Sequence, residues 1–482
     1  MSTPLWKLSA IETARRIRDR EVSAREVVQS HVERLRAINP WLNAISCDLS
    51  EQALIDADEA DKSLATRGFE PAALHGVPLT IKHNVDYAGQ ANPNGVVALK
   101  GLIASEDAPV VARLRQAGAI CLGLSNVPEF SLRVVTDNPL FGLTLNPWDG
   151  AITCGGSSGG AGAALAAGIG ALAHGSDIGG SLRIPAHCNG VATLKPTLGR
   201  VPAFNPSASR ERSLMAQLMA VHGPMARHVG DLRLGLQVMS GRDARDPWYV
   251  PAPLHGPALP RRAALARVPA DMHTDPDVMA LVGSAARHLS AAGYEIEEVE
   301  LPDLDGTWDD WQALLIADIR ALDESAIRTL GSAEVVQVLE ISFARARALD
   351  LPAYIALASD RARRLREWMR LLEQFPVIIA PVSTAATPGP REDLLRAAQI
   401  FRDELRFCGP VNHLGLPSAV VPVGLTPAGH PVGVQLIASR YREDIALAAA
   451  QAVEAGAGIL APLLWSRLAS HPSSHPSPRS AA

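Results

Sequence analysis

Two serines in separate glycine-rich turns, and a lysine upstream of both, are the residues equipped for chemistry. Ser157 lies in Gly155-Gly156-Ser157-Ser158-Gly159-Gly160, and Ser181 in Asp177-Ile178-Gly179-Gly180-Ser181-Leu182-Arg183. Lys82 closes the run Gly76-Val77-Pro78-Leu79-Thr80-Ile81. Glycine in a turn lets the backbone approach a ligand closely and adopt positive φ, so that successive N–H groups can face one point. A serine in such a turn has donors at hand for a developing oxyanion. The apolar residues before Lys82 carry its side chain inward, where desolvation lowers an amine pKa and leaves the neutral base populated. Together the three residues suggest a hydrolase that uses no histidine.

The same residues admit other readings. Lys82 alone could be a solvated charge at a strand end. Gly155 to Gly159 also satisfies GxSxG, the nucleophile elbow, with Ser157 attacking and His413 and an aspartate downstream. That motif needs a buried strand directly before it, whereas Asn146-Pro147-Trp148-Asp149-Gly150 reads as a turn. No GxxxxGK[ST] occurs, and the 150–190 region has no intact GxGxxG opening a helix after a strand, which argues against a nucleotide. The body histidines, among them His75, His83, His174, His187 and His413, have no metal-ligand spacing. Only His471 and His475 lie four apart, in a Pro/Ser-rich tail. No cofactor and no metal are expected.

Residues 8–65 read as amphipathic helix, with a capping box at Ser9-Ala10-Ile11-Glu12. Leu74 to Val85 reads as a strand with Lys82 near its end, Asp107 to Gly118 as a helix, and Ala119 to Leu124 as the next strand. That alternation is the α/β pattern. Gly160 to Leu172 is a narrow Ala/Gly helix that must pack tightly. Helices are expected over 225–240 and 275–292, a strand over Tyr294 to Leu301, a helical block from Trp308 to Leu372 and a buried strand over Phe375 to Pro381. Ala419 to Gly424 and Pro431 to Ile437 form a hairpin turning at Thr426-Pro427-Ala428-Gly429. With no repeat and no long linker, one domain over 1–470 and a disordered tail over 471–482 are expected.

The 482 residues are 47% hydrophobic but only 4% aromatic, which suits a large core of closely packed helices. The net charge of −5 comes without a concentrated basic face, so neither nucleic acid nor an anionic membrane is an expected partner. Gly150 to Ser176 carries no Asp, Glu, Lys or Arg and is long enough to span a bilayer, but its Gly and Ser content argues against insertion. The five cysteines show no CxxC pair or regular spacing, and the N-terminus lacks an apolar signal region. Both point to a reducing, cytoplasmic setting.

Taken together, these residues resemble the amidase signature family of serine hydrolases. Gly76 to Lys82 resembles its lysine motif, and Gly123-Leu124-Ser125-Asn126-Val127-Pro128-Glu129-Phe130 its G-x-T-N-x-P-E-F segment. Asn146-Pro147-Trp148 follows the pattern, as do residues 155–197, Gly415-Leu416-Pro417 and Gly433-Val434-Gln435-Leu436-Ile437. The resemblance implies a single-domain α/β fold, a mixed sheet surrounded by helices. It implies a cofactor-free amidase with Ser181 as acylated nucleophile, Ser157 as bridging serine and Lys82 as base. The N–H groups of Ile178, Gly179, Gly180 and Ser181 would hold the oxyanion, a term of roughly 2.7–4 kcal/mol per donor. Asp177 and Arg183 would be a buried pair shaping the loop. The partner is a small-molecule amide, and a homodimer is admissible.

The chain departs from the family pattern at His83 (usually Asp), Ser125 (Thr), Cys154 (Pro) and His187-Cys188-Asn189 (Ala-Phe-Cys). His83 is expected to alter the support of Lys82. None of these positions is catalytic, so an active enzyme is expected. The match over 138–206 most resembles hydrolases of cyclic or oligomeric ω-amino acid amides, with aryl acylamidases next. The glutaminase subunit of a tRNA amidotransferase shares the signature, and a non-catalytic binding protein is a further alternative. The pockets are expected from Arg200 to Val221 and from Asp303 to Ser342, with Trp308 and Trp311.

Overall fold

Short apolar runs, separated by helices, pair into one mixed sheet. The computed structural model describes residues 3–396 and 399–470, so the expected tail over 471–482 lies outside the described residues. The strands are β1 (Ile45–Asp48), β2 (Pro78–Lys82), β3 (Ile120–Ser125), β4 (Leu172–Asp177), β5 (Ala192–Lys195), β6 (Val221–Ala226), β7 (Arg262–Ala266), β8 (Glu295–Val299), β9 (Val377–Pro381), β10 (Ser418–Leu425) and β11 (Pro431–Ile437). Their order is β1-β3-β2-β4-β6-β5-β10-β11-β9-β7-β8. β2 runs parallel to β3 and β4, and β7 parallel to β8 and β9; the remaining pairs are antiparallel. Every residue of β2, β3 and β9 is buried, as expected of strands with both faces covered.

Several expected elements form where local chemistry specifies them. The 107–118 helix spans Pro109–Gln116 with Pro at its first turn. The β10–β11 hairpin closes through Gly429 N–H on Thr426 O at 2.8 Å. Residues 8–65 are not all helix: helices Ala10–Arg18, Ala24–Leu42 and Ser50–Ala65 enclose β1, which pairs with β3. Ser9 Oγ caps Glu12 N–H, but the Glu12 carboxylate turns to Arg15 and Arg16. The reciprocal box forms instead at Ser23 and Glu26. The Ala/Gly helix is shorter than expected, Gly159–Ala167, and stops at Gly168 before β4 begins. The 225–240 helix likewise gives up its start to β6 and runs over Val229–Met239.

The uncharged 150–176 stretch is therefore a helix, a turn and a strand inside the protein. A Cβ on Gly160 would lie 2.5 Å from Asn126 N and 2.7 Å from Ala44 O, so this helix can sit there only without one. No single helix among the described residues is long and apolar enough to cross a membrane. A bent pair, Glu443–Ala457 with Ala461–Ser470, reaches that composition together, but Ala446, Leu447, Ala450 and Leu464 are buried within the protein.

Candidate active site

The chemistry-bearing residues collect at the carboxyl ends of β2 and β4, where open α/β sheets usually bind ligands. Lys82 is the last residue of β2 and is fully buried. Its Nζ lies 2.7 Å from Ser157 Oγ and 2.9 Å from Ser176 Oγ. No carboxylate among the described residues pairs with it directly. Burial pushes its pKa down to about 7, against a weaker upward pull from Asp177. Ser157 sits just before the Gly159–Ala167 helix, and its side chain is almost wholly buried.

Ser181 follows β4 in the loop shaped by Asp177. The Asp177 carboxylate accepts N–H groups from Gly180 (2.8 Å) and Leu182 (3.0 Å). It also accepts the Arg183 guanidinium at 3.0 Å, with both side chains fully buried. Burial favours the neutral acid at Asp177, but the charge and hydrogen bonds of Arg183 outweigh it and hold the carboxyl well below its usual range. Arg183 reaches onward to Gln435 Oε1 (3.0 Å), Asn412 Oδ1 (2.5 Å) and Cys408 O (3.0 Å). Asn412 lies in no motif that marks it for this role.

Of the four N–H groups expected at the oxyanion, that of Gly180 is occupied by Asp177. Those of Ile178, Gly179 and Ser181 have no acceptor among the described residues. Ser158 N–H donates to Ser181 O at 3.1 Å, tying the two glycine-rich turns together. The Ser157 and Ser181 hydroxyls border one cavity but make no hydrogen bond to each other.

The amidase family pattern matches residues 26–447. The chain belongs to the amidase family. An indoleacetamide hydrolase from Bradyrhizobium diazoefficiens is 54% identical over 467 residues, covering 96% of this chain and 89% of the relative. One from Bradyrhizobium japonicum is 50% identical over 424 residues, covering 87% and 91%. The solved structure of a 6-aminohexanoate cyclic dimer hydrolase with its substrate is similar at a TM-score of 0.82 and 28% identity, over 96% of this chain and 100% of that one. The amidase hydrolyses carboxylic amide C–N bonds.

The amidase cavity measures about 690 Å³. Residues 203–222 form much of its wall, as expected, but the 303–342 region contributes only Leu315, Ile319 and Asp323. Trp308 and Trp311 are buried outside it. Trp311 supports the Ser181 loop: its Nε1–H donates to Ile178 O at 2.9 Å, and a Cβ on Gly179 would lie 2.4 Å from its ring. The wall also takes Asn84, Phe130 and Trp248, which lie outside the two segments expected to form it. Asn84 Nδ2 donates to Ser176 Oγ at 3.1 Å, extending the contacts of Lys82.

The family departures are accommodated away from the reacting groups. His83 does not touch the Lys82 amine; its ring meets Ser46 Oγ (2.8 Å) and Ala91 O (2.9 Å). Burial lowers its pKa to about 4, opposed by the Ala91 hydrogen bond. Asn189 Nδ2 donates to Cys154 O at 2.7 Å, bracing the first glycine-rich turn. Among the described residues no group of three His, Cys, Asp or Glu side chains is placed to hold a metal ion.

Proposed function

We propose that this amidase cleaves a primary carboxamide on an arylacetyl group, of the indoleacetamide type, through a Ser181 acyl-enzyme. The observation that carries the mechanism is the 2.7 Å contact between a fully buried Lys82 amine and Ser157 Oγ beside the cavity. A neutral amine there accepts the Ser157 proton while Ser157 takes that of Ser181. Ser181 Oγ bonds to the carbonyl carbon, and the oxygen gains negative charge facing the Ile178, Gly179 and Ser181 N–H groups. Lys82 returns its proton through Ser157 to the nitrogen, the C–N bond breaks and ammonia leaves. Water then repeats the relay on the acyl ester and releases the acid.

The substrate class is supported by the 54% identical relative and by the aromatic and apolar side chains of Phe130, Phe204, Trp248 and Leu315 on the wall. A second reading, a cyclic ω-amino acid amide, is favoured by the likeness to the cyclic dimer hydrolase. Five cysteines with no disulfide support a reducing, cytoplasmic compartment.

Ammonia or amine release from indoleacetamide, a cyclic lactam dimer, an anilide, acetamide and glutamine tests this, with Ser181→Ala as the blank. The expected result is preferred turnover of indoleacetamide, lost in the variant. Preference for the lactam or for glutamine overturns the substrate class, and activity surviving in Ser181→Ala overturns the nucleophile.

A further inference from the structure

Next to the lysine, two histidines form a relay that the hydrolytic steps leave unused. The Lys82 backbone N–H lies 3.4 Å from His174 Nδ1, and His174 Nε2 lies 3.0 Å from His222 Nδ1. A backbone amide can only donate, so His174 Nδ1 is an acceptor and its proton sits on Nε2. That proton is given to His222 Nδ1, which leaves the His222 proton on Nε2 as well. His222 borders the cavity, and its Nε2 has no partner among the described residues. In the β4–β6 ladder His222 stands opposite Ser176, on the face that holds the Lys82 contacts.

The relay stays neutral. Burial, then the charges of His222 and Lys82, hold His174 well below the usual histidine range. Burial, then the charges of Arg212 and Lys82, bring His222 to about 3. Arg212 borders the same cavity. A fixed N–H donor and a guanidinium on one wall favour an electron-rich group over a second donor.

We propose that His222 determines specificity in the acyl pocket, its Nε2–H donating to an electron-rich acceptor on the acyl group, either an aryl π-face or a ring heteroatom. This rests on the arylacetamide reading above. In a primary amide all but the leaving ammonia is acyl, so the cavity beyond Ser181 must be filled from that side.

The test compares indoleacetamide, pyridylacetamide and cyclohexylacetamide with acetamide in wild type, His222→Phe and His222→Gln. Phenylalanine keeps a flat ring but removes both the donor and the acceptor of the His174 Nε2–H; glutamine restores an N–H donor and an oxygen acceptor. We expect His222→Phe to lower kcat/KM for acceptor-bearing amides about tenfold more than for acetamide, mainly through KM. His222→Gln should recover most of the loss. Loss on indoleacetamide but not cyclohexylacetamide identifies the π-face, and a larger loss on pyridylacetamide identifies the heteroatom.

Equal losses on indoleacetamide and acetamide, as a merely structural role would give, overturn the proposal. So does an unchanged KM. The relay is read without substrate: 15N shifts of the His222 ring should report the Nε2–H form from pH 6 to 9, and an Nδ1–H form overturns it. Wild-type inactivity on every arylacetamide would instead sink the substrate class, with the tautomer still intact.

Discussion

Two buried lysines, Lys82 at the end of β2 and Lys195 at the end of β5, differ in what their amines can reach. Lys82 and Lys195 are both fully buried, and burial brings both to about pKa 7. At Lys195 the charge of Arg183 adds to this, opposed by Asp177 and Glu443. Lys82 faces two serine hydroxyls beside the cavity, whereas Lys195 Nζ donates to Pro196 O at 3.0 Å and does not line the cavity. A low pKa makes an amine available; only a proton donor within reach gives it something to do.

Removing the two amines should separate these roles most sharply. Lys82→Met is expected to lower kcat by about 10³–10⁴-fold with the fold retained, and Lys195→Met by less than about tenfold. Comparable losses in steady-state assays would break the comparison. Next in size, Arg183→Met leaves Asp177 buried without its cation. That should cost about 3–5 kcal/mol of stability, measured by denaturant unfolding.

The pH profiles sharpen the contrast further. Lys82 must be neutral to accept a proton, so kcat/KM should rise up to about pH 7 and level off above it. Lys195→Met should keep this limb. Stability behaves differently, because both lysines are neutral when folded above about pH 7 but protonated when unfolded up to about 10.5. The unfolded chain then binds more protons, so these groups make stability rise with pH across that window. Unfolding of Lys195→Met at several pH values should show a shallower rise. The smallest expected effect is Ser176→Ala. Losing one acceptor for the Lys82 ammonium should shift the acidic limb to lower pH and reduce kcat by roughly three- to tenfold.

The sequence was most legible where chemistry is local. The β10–β11 hairpin carries its turn in Thr426 to Gly429, and the helix before β3 opens with Pro109. β1 and β4 escaped notice because neither looks like a strand alone. Leu172–Asp177 contains Gly, Ser, His and Asp and is held by β2 and β6 on either side, while the four residues of β1 are held by β3. The glycine-rich turns and Lys82 stood out because spacing and residue type coincide there. Ser176, Asn84, His222 and Trp248 belong to no such pattern. They reach the site only through strand pairing and loops, and Trp248 lies more than sixty residues beyond Ser181.

The Arg183 contacts also bear on how the enzyme is made. Its partners Asn412 and Gln435 lie 229 and 252 residues further along the chain. During synthesis Ser181 leaves the ribosome long before the groups that hold its loop, and a growing chain folds from its N-terminal side. Ser181 is therefore translated early, whereas the Asn412 and Gln435 contacts that hold Arg183 beside its loop become available only late, so a chain released before Gln435 lacks part of the scaffold of that loop.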